Sequence, residues 1–232
     1  MSSDPHGERL AKRVAALRGC SRREAELLIA HGAVAVDGVP ATAPQQRVRP
    51  GQRVDVAPDA RPQPLPPATL LVHKPAGLAC DAADFWAALQ RDASDAAHGR
   101  PALPGLFMGQ RCAAPLAAPE SGLVVFTQVA GVARRLADAE APLEHEFAVE
   151  IAGPVAPEAL ARLRPARASI AAHSAQRTLL RLVLPDGAAP GEALRLCLGL
   201  APQAVRRLRI GRLPLAGLPP GHWRCLRPAE RF

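Results

Sequence analysis

Five prolines fall within residues 57–68, at positions 58, 62, 64, 66 and 67. Proline lacks an N–H and fixes φ, so neither a helix nor a central strand can run through such a stretch. The chain is therefore expected to fold in two parts joined by a semi-extended linker at 57–68. Residues 8–56 form the first part and residues 69–228 the second. Apolar residues make up 48% of the 232, enough for a packed core in the larger part, and this excludes wholesale disorder.

The first part reads clearly. Leu10, Val14 and Leu17 recur at helical spacing across residues 8–18, and Gly19 ends that helix. Ser21 caps a second helix, and Glu24 three residues later completes a capping box. This helix runs through Ala25, Leu28 and Ile29 and stops near Gly32. Residues 33–36 and Val54–Val56 read as short strands. Asp37-Gly38 is a hairpin turn and Pro50-Gly51 a second turn.

In the second part, residues 69–73, 122–127, 147–151 and 179–184 read as strands, and residues 129–139 and 157–163 as helices. Strands interleaved with helices in this order predict a mixed sheet in an α+β domain. Residues 80–118 are rich in Ala, Asp and Pro and show no periodicity.

The net charge of +8 is unevenly spread. Residues 1–60 carry +2, residues 61–161 carry −4 and residues 162–232 carry +10. This balance suits a polyanionic partner, although a GC-rich genome would also inflate arginine. Against 27 arginines there are two lysines, Lys12 and Lys74. That pattern is expected if a compact ammonium is needed at those two places. The five cysteines, Cys20, Cys80, Cys112, Cys197 and Cys225, are scattered without metal-ligand spacing and read as small buried thiols. No metal or cofactor is expected. Residues 1–7 are polar without an apolar signal core, and no stretch approaches a membrane span, so a cytoplasmic monomer is expected.

Three stretches of the first part carry a resemblance: Arg9-Leu10-Ala11-Lys12, Cys20-Ser21-Arg22-Arg23-Glu24-Ala25-Glu26, and Gly32-Ala33-Val34-Ala35-Val36-Asp37-Gly38. Together they resemble the S4 RNA-binding domain. Arg9 and Lys12 lie three apart on one helical face, and Arg22 and Arg23 sit at the positive end of the next helix. Those four residues could contact phosphates of a folded RNA, or form a solvated charged face.

The second part resembles the catalytic domain of S4-containing ribosomal RNA pseudouridine synthases of the RsuA type. The residues that carry this are Leu70-Leu71-Val72-His73-Lys74-Pro75-Ala76-Gly77, Glu120-Ser121-Gly122-Leu123-Val124-Val125-Phe126-Thr127, His145-Glu146-Phe147-Ala148-Val149-Glu150, Leu208-Arg209-Ile210-Gly211 and Leu215-Ala216-Gly217-Leu218-Pro219-Pro220-Gly221-His222-Trp223-Arg224. The resemblance implies a cleft lined by Lys74 and Phe147.

It also implies an aspartate in a Gly-Arg-Leu-Asp loop, because isomerising uridine breaks an N-glycosidic bond beside a positioned carboxylate. Counted back from Gly122, that loop is Ala114-Pro115-Leu116-Ala117, so Ala117 stands at the aspartate position. Another register, through Gly109-Gln110-Arg111-Cys112, supplies no carboxylate either. Glu120 is the closest acid. Further departures agree with this loss. His73 replaces the family's Asn, and Phe147 replaces a tyrosine that packs on the base, in a chain with no tyrosine at all. The arginine-rich helix start after the Gly187 turn is replaced by residues 188–194 (AAPGEAL). Arg206, Arg207 and Arg209 remain farther on.

The sequence predicts a non-catalytic protein that binds structured, ribosomal RNA through the S4 module and the basic C-terminal third. An active synthase with a displaced carboxylate is the alternative. A protein-interaction module is the third reading.

Overall fold

The structure, a computed structural model, describes residues 7–96, 101–163, 166–185 and 189–232. Residues 1–6, with the Gly187 and Ala188 of the expected turn, lie outside the described residues. The chain divides into two compact units, residues 1–67 with 100–110 and residues 68–99 with 111–232.

The first unit begins with β1 (Glu8–Arg9), α1 (Leu10–Arg18) and α2 (Arg22–Ala30). Gly19 takes the left-handed conformation at φ 62° and closes α1 by donating to the Ala15 carbonyl. At the start of α2 the Glu24 N–H donates to Ser21 Oγ at 3.2 Å, and the Ser21 N–H donates to the Glu24 carboxylate at 2.8 Å. Then follow β2 (Val34–Val36), β3 (Val39–Pro40), β4 (Arg47–Val48) and β5 (Val54–Val56). β2 is the centre of a three-stranded sheet between β3 and β5, while β1 pairs with β4. Asp37 and Gly38 both have positive φ, which turns β2 into β3 with the twist a tight hairpin needs. Leu10, Val14, Leu28 and Ile29 pack with Val34 and Val48 into the core of this unit.

Residues 57–68 contain no helix or strand, as the prolines require, but the segment up to 67 is seated on the first unit. Arg18 donates to the carbonyls of Ala57, Pro58 and Ala60 at 3.1–3.3 Å. A ring nitrogen of His31 lies 2.7 Å from the Gln63 carbonyl. Residues 104–106 form a 3₁₀ turn in which a Cβ on Gly105 would sit 2.5 Å from the Leu65 side chain.

The second unit holds β6 (Thr69–Lys74), β7 (Gln90–Arg91), α3 (Ala93–Ala96), β8 (Arg111–Cys112), β9 (Ser121–Thr127), α4 (Ala130–Leu136) and β10 (His145–Ala152). It continues with β11 (Arg167–His173), β12 (Arg177–Leu184), α5 (Pro190–Leu198), β13 (Pro202–Ile210), β14 (Leu213–Pro214) and β15 (His222–Cys225). One mixed sheet runs β11-β12-β10-β13-β9-β6-β15-β7, with β8 on β9 and β14 on β13. The fold is α+β, a helical hairpin with short strands followed by a large mixed sheet. All six residues of β6 are buried, which explains the unbroken apolar reading of 69–73.

Three local readings change. The helix read over 129–139 ends at Leu136, because the Asp138 carboxylate accepts the N–H groups of Glu140 and Ala141 in a turn. Pro157–Leu163 is 3₁₀ rather than α. Arg111-Cys112 form β8, so the alternative register for the family loop falls on a strand. Gly122 is obligatory where β9 meets β13 in parallel. Its φ is +112°, and a Cβ there would lie 2.3 Å from the Arg207 carbonyl oxygen.

Part of the uneven charge along the chain is matched within the sheet. Acidic residues of β10 and its approach face arginines of the neighbouring strands. Arg209 bonds Glu146 at 2.9 Å, Arg167 bonds Glu144 at 2.8 Å and Arg177 bonds Glu150 at 3.1 Å; Arg181 also bonds Glu146. Several arginines of the basic third are thus paired across strands. The sequence segregates the charges, and antiparallel pairing recombines them.

Candidate functional site

Two groups of residues are candidates, one in each unit. In the first unit, Arg9 is the exposed N-cap residue of α1, and Lys12 follows one turn later with 64% of its side chain exposed. Lys12 lies 3.7 Å from Glu8, whose carboxylate is also held by Arg13. Arg22 and Arg23 open α2 and are exposed. Arg9 and Lys12 thus belong to the first turn of α1, and Arg22 and Arg23 to the first turn of α2. Arg18, at the end of α1, is engaged with the 57–60 carbonyls.

In the second unit, the loop 114–118 is organised by two cations. Lys74 is 0% exposed at the end of β6. Its ammonium donates to the carbonyls of Leu78 at 2.7 Å, Ala118 at 3.0 Å and Pro75 at 3.1 Å. Three donors meeting three carbonyls is a geometry for an ammonium, not a guanidinium fork, and explains a lysine in an arginine-rich chain. Burial pushes this ammonium below its ordinary value, while Cys80 and Glu120 oppose the shift. Arg207 on β13 is 2% exposed. It donates to the carbonyls of Leu123 at 2.7 Å, Pro115 at 3.3 Å and Ala114. Burial lowers it to about 10, so it stays protonated. Among the described residues neither cation has a carboxylate partner.

Ala117 is exposed on this loop. Glu120 closes the turn behind it. Its carboxylate accepts the Ala117 N–H at 3.0 Å, and its own N–H donates to the Ala117 carbonyl at 3.1 Å. The nearest acid is thus engaged with the backbone of the position where the resemblance expects an acid. Phe147 lies opposite Arg207 in the β10–β13 register and is 1% exposed. Lys74 and Phe147, assigned to a cleft by resemblance, are both enclosed. Ala117, Gly77 and Arg206 are exposed. Arg209 is paired with Glu146, as described above.

Sequence reasoning did not single out His145. It is buried two residues before Phe147, with ring centroids 6.3 Å apart, and its Nδ1 has no hydrogen-bond partner among the described residues. Burial first, then Arg207 and Arg209, lower its pKa to about 4. His73, hydrogen-bonded to the Leu218 carbonyl at 2.7 Å, is lowered by burial in the same direction. A histidine held neutral in the fold contributes stability fully above its unfolded pKa of about 6.5 and loses it as pH falls through its folded value. Urea unfolding should therefore show about 2–3 kcal/mol lost through His145 between roughly pH 6.5 and 4. His145→Phe should flatten that part of the profile, and an unchanged slope would reject the assignment.

The cysteines are half-buried rather than core thiols. Cys80 Sγ lies 3.6 Å from the Leu116 carbonyl oxygen. Among the described residues no group of His, Cys, Asp or Glu side chains could hold a metal ion, and no helix is long and apolar enough to cross a membrane.

Comparison with known proteins agrees with this architecture. Residues 8–54 match the family model of the S4 domain. A crystal structure of pseudouridylate synthase superposes with a TM-score of 0.53 at 18% identity, covering 95% of this chain and 96% of that one. A partial likeness, TM-score 0.43 at 16% identity over 63% of this chain and 49% of that one, is to the Nop10-Cbf5 complex of an archaeal box H/ACA sRNP. No curated protein matches by sequence. The fold therefore defines an S4-domain protein of α+β class. More particularly, the chain as a whole has the fold of a pseudouridylate synthase, with residues 8–54 as its S4 domain.

Proposed function

We propose that this chain binds structured RNA, ribosomal RNA in particular, on a pseudouridine synthase scaffold that no longer isomerises uridine. The reading places it in the cytoplasm as a monomer, with an RNA-binding unit at 8–56, a connecting segment at 57–68 and the synthase-like unit at 69–228. Arg9, Lys12, Arg22 and Arg23 contact phosphates, and the helix N-terminus beneath Arg22 and Arg23 adds to their pull.

The observation that carries the loss of catalysis is the loop 114–118. Ala117 has no group that can bond to the sugar or base, Glu120 is engaged with the Ala117 N–H, Lys74 gives all three of its donors to carbonyls, and Arg207 donates to the carbonyls of Ala114, Pro115 and Leu123. The alternative of an active enzyme with a displaced carboxylate rests on Glu120, the acid whose charge both cations feel.

The test of RNA binding is a salt titration on structured RNA. Affinity should fall as salt rises. Changing Arg22 and Arg23 together to Ala should weaken binding by ~1–3 kcal/mol and flatten the salt slope. Unchanged affinity in that double variant rejects this surface. Binding that ignores salt favours a protein-interaction role instead.

A further inference from the structure

The first unit places two like charges opposite one another. β1 and β4 run antiparallel, with Glu8 opposite Val48 and Arg9 opposite Arg47. The Leu10 N–H donates to the Gln46 carbonyl at 2.7 Å, so Leu10 and Gln46 form a hydrogen-bonded pair that continues this register. Such pairs alternate with non-hydrogen-bonded ones. Arg9 and Arg47 are therefore a pair of the second kind, whose side chains stand closest. Opposite residues leave a two-stranded ribbon on the same face. Val48 is 0% exposed and marks the inner face, so Arg9 and Arg47, both exposed, share the outer one.

Like charges directly opposite one another destabilise a sheet. The acid of this ribbon does not relieve the cost. Glu8 stands opposite Val48, on the inner side of β1, and its carboxylate is bonded to Arg13 and lies 3.7 Å from Lys12. Arg47 is oriented by a neutral group, since its guanidinium donates to the Gly7 carbonyl at 2.7 Å. Gly7 has a φ of +73°, and a Cβ there would lie 2.5 Å from the Val48 carbonyl oxygen, so a glycine is what lets residue 7 lie so close to β4. A carbonyl fixes the direction of a guanidinium without cancelling its charge. Two guanidinium groups thus share one exposed face, and the backbone has already oriented one of them.

We propose that Arg9 and Arg47 clamp one backbone phosphate of the bound RNA between them. A phosphodiester carries one negative charge and two non-bridging oxygens. Each guanidinium donates to one of those oxygens, and the charge between them replaces repulsion by attraction. Arg47 has no place in the helical pattern that marks Arg9 and Lys12, and strand register alone brings it to Arg9. The clamp fixes the position of the RNA without reading its bases. It rests on the RNA-binding reading above and adds a site on the β1–β4 ribbon to the contacts made by Arg22 and Arg23.

The experiment is a double-mutant cycle on the full chain, with a fluorescein-labelled stem-loop transcribed from ribosomal RNA as the probe and fluorescence anisotropy as the readout. Thermal melts establish that each variant folds. Arg9→Ala and Arg47→Ala should each weaken binding about tenfold. Because both hold the same phosphate, the double variant should lose about twentyfold rather than the roughly hundredfold of two independent contacts. The salt slope of the double variant should fall by about one phosphate, not two. Arg53→Ala is the control for net charge. Arg53 is also exposed but is bonded to Asp55 at 2.8 Å, and its loss should change affinity less than about twofold. Arg47→Lys keeps the charge and loses the planar fork, so it should bind more weakly than the unmutated chain and more tightly than Arg47→Ala. Losses that multiply in the double variant, or an Arg53→Ala loss equal to that of Arg47→Ala, would overturn the clamp. Unchanged binding in Arg9→Ala and Arg47→Ala, with affinity still lost on changing Arg22 and Arg23, would overturn the clamp alone. No salt-dependent binding by the unmutated chain would overturn the RNA-binding reading and the clamp with it.

Discussion

Ala117→Asp forms no pseudouridine above background when incubated with ribosomal RNA or transcripts and read by nucleoside chromatography. The expectation rests on how the rest of the site is occupied. A new carboxylate at 117 would sit on an exposed loop, and the cations that could orient it are engaged elsewhere. Lys74 donates to three carbonyls, and Arg207 donates to the loop's own carbonyls at 114 and 115. Phe147 carries no hydroxyl and is enclosed. Residues that work as a group lose several powers of ten in rate together, and restoring one member recovers little. Robust turnover by Ala117→Asp would mean that the scaffold is still primed and that one substitution silenced it.

The second large effect is on stability. Arg207→Leu should lower stability by about 3–5 kcal/mol and the unfolding temperature by roughly 10 °C, measured by thermal melts. Removing the guanidinium leaves the carbonyls of Ala114, Pro115 and Leu123 without their donors. It also takes away the side chain that ties β13 to the 114–118 loop and to β9. Its exposed neighbour makes the control, since Arg206→Leu should cost within about 0.5 kcal/mol. If the two variants melt together, Arg207 is not the structural residue described above.

What was legible in the sequence is what depends on near neighbours. The capping box of Ser21 and Glu24, the left-handed Gly19 and the Asp37-Gly38 turn are decided within four residues, and each occurs where the pattern placed it. β6 and β9 were legible because both are central and apolar along their length. β11 was not, because Arg167–His173 exposes most of its residues and offers no apolar alternation. β13 breaks the rule that inward positions are apolar, since Arg207 points inward and its desolvation is offset by carbonyls of the 114–118 loop and β9. The same limit hides the function of the charges. Arg22 and Arg23 could be read from their place on a helix, whereas the pairing of Arg177 and Arg181 with the acids of β10 depends on strand register.

The most direct measurement uses ribosomal RNA labelled with tritium at C5 of uridine, mixed with stoichiometric protein. One tube reports both RNA retention on a filter and tritium release, which accompanies isomerisation because C5 becomes the glycosidic carbon. The account predicts salt-sensitive retention of the RNA with no tritium released above a protein-free control. Sustained tritium release by the unmutated chain, abolished by Glu120→Gln, would contradict it and make Glu120 the displaced acid of a working enzyme.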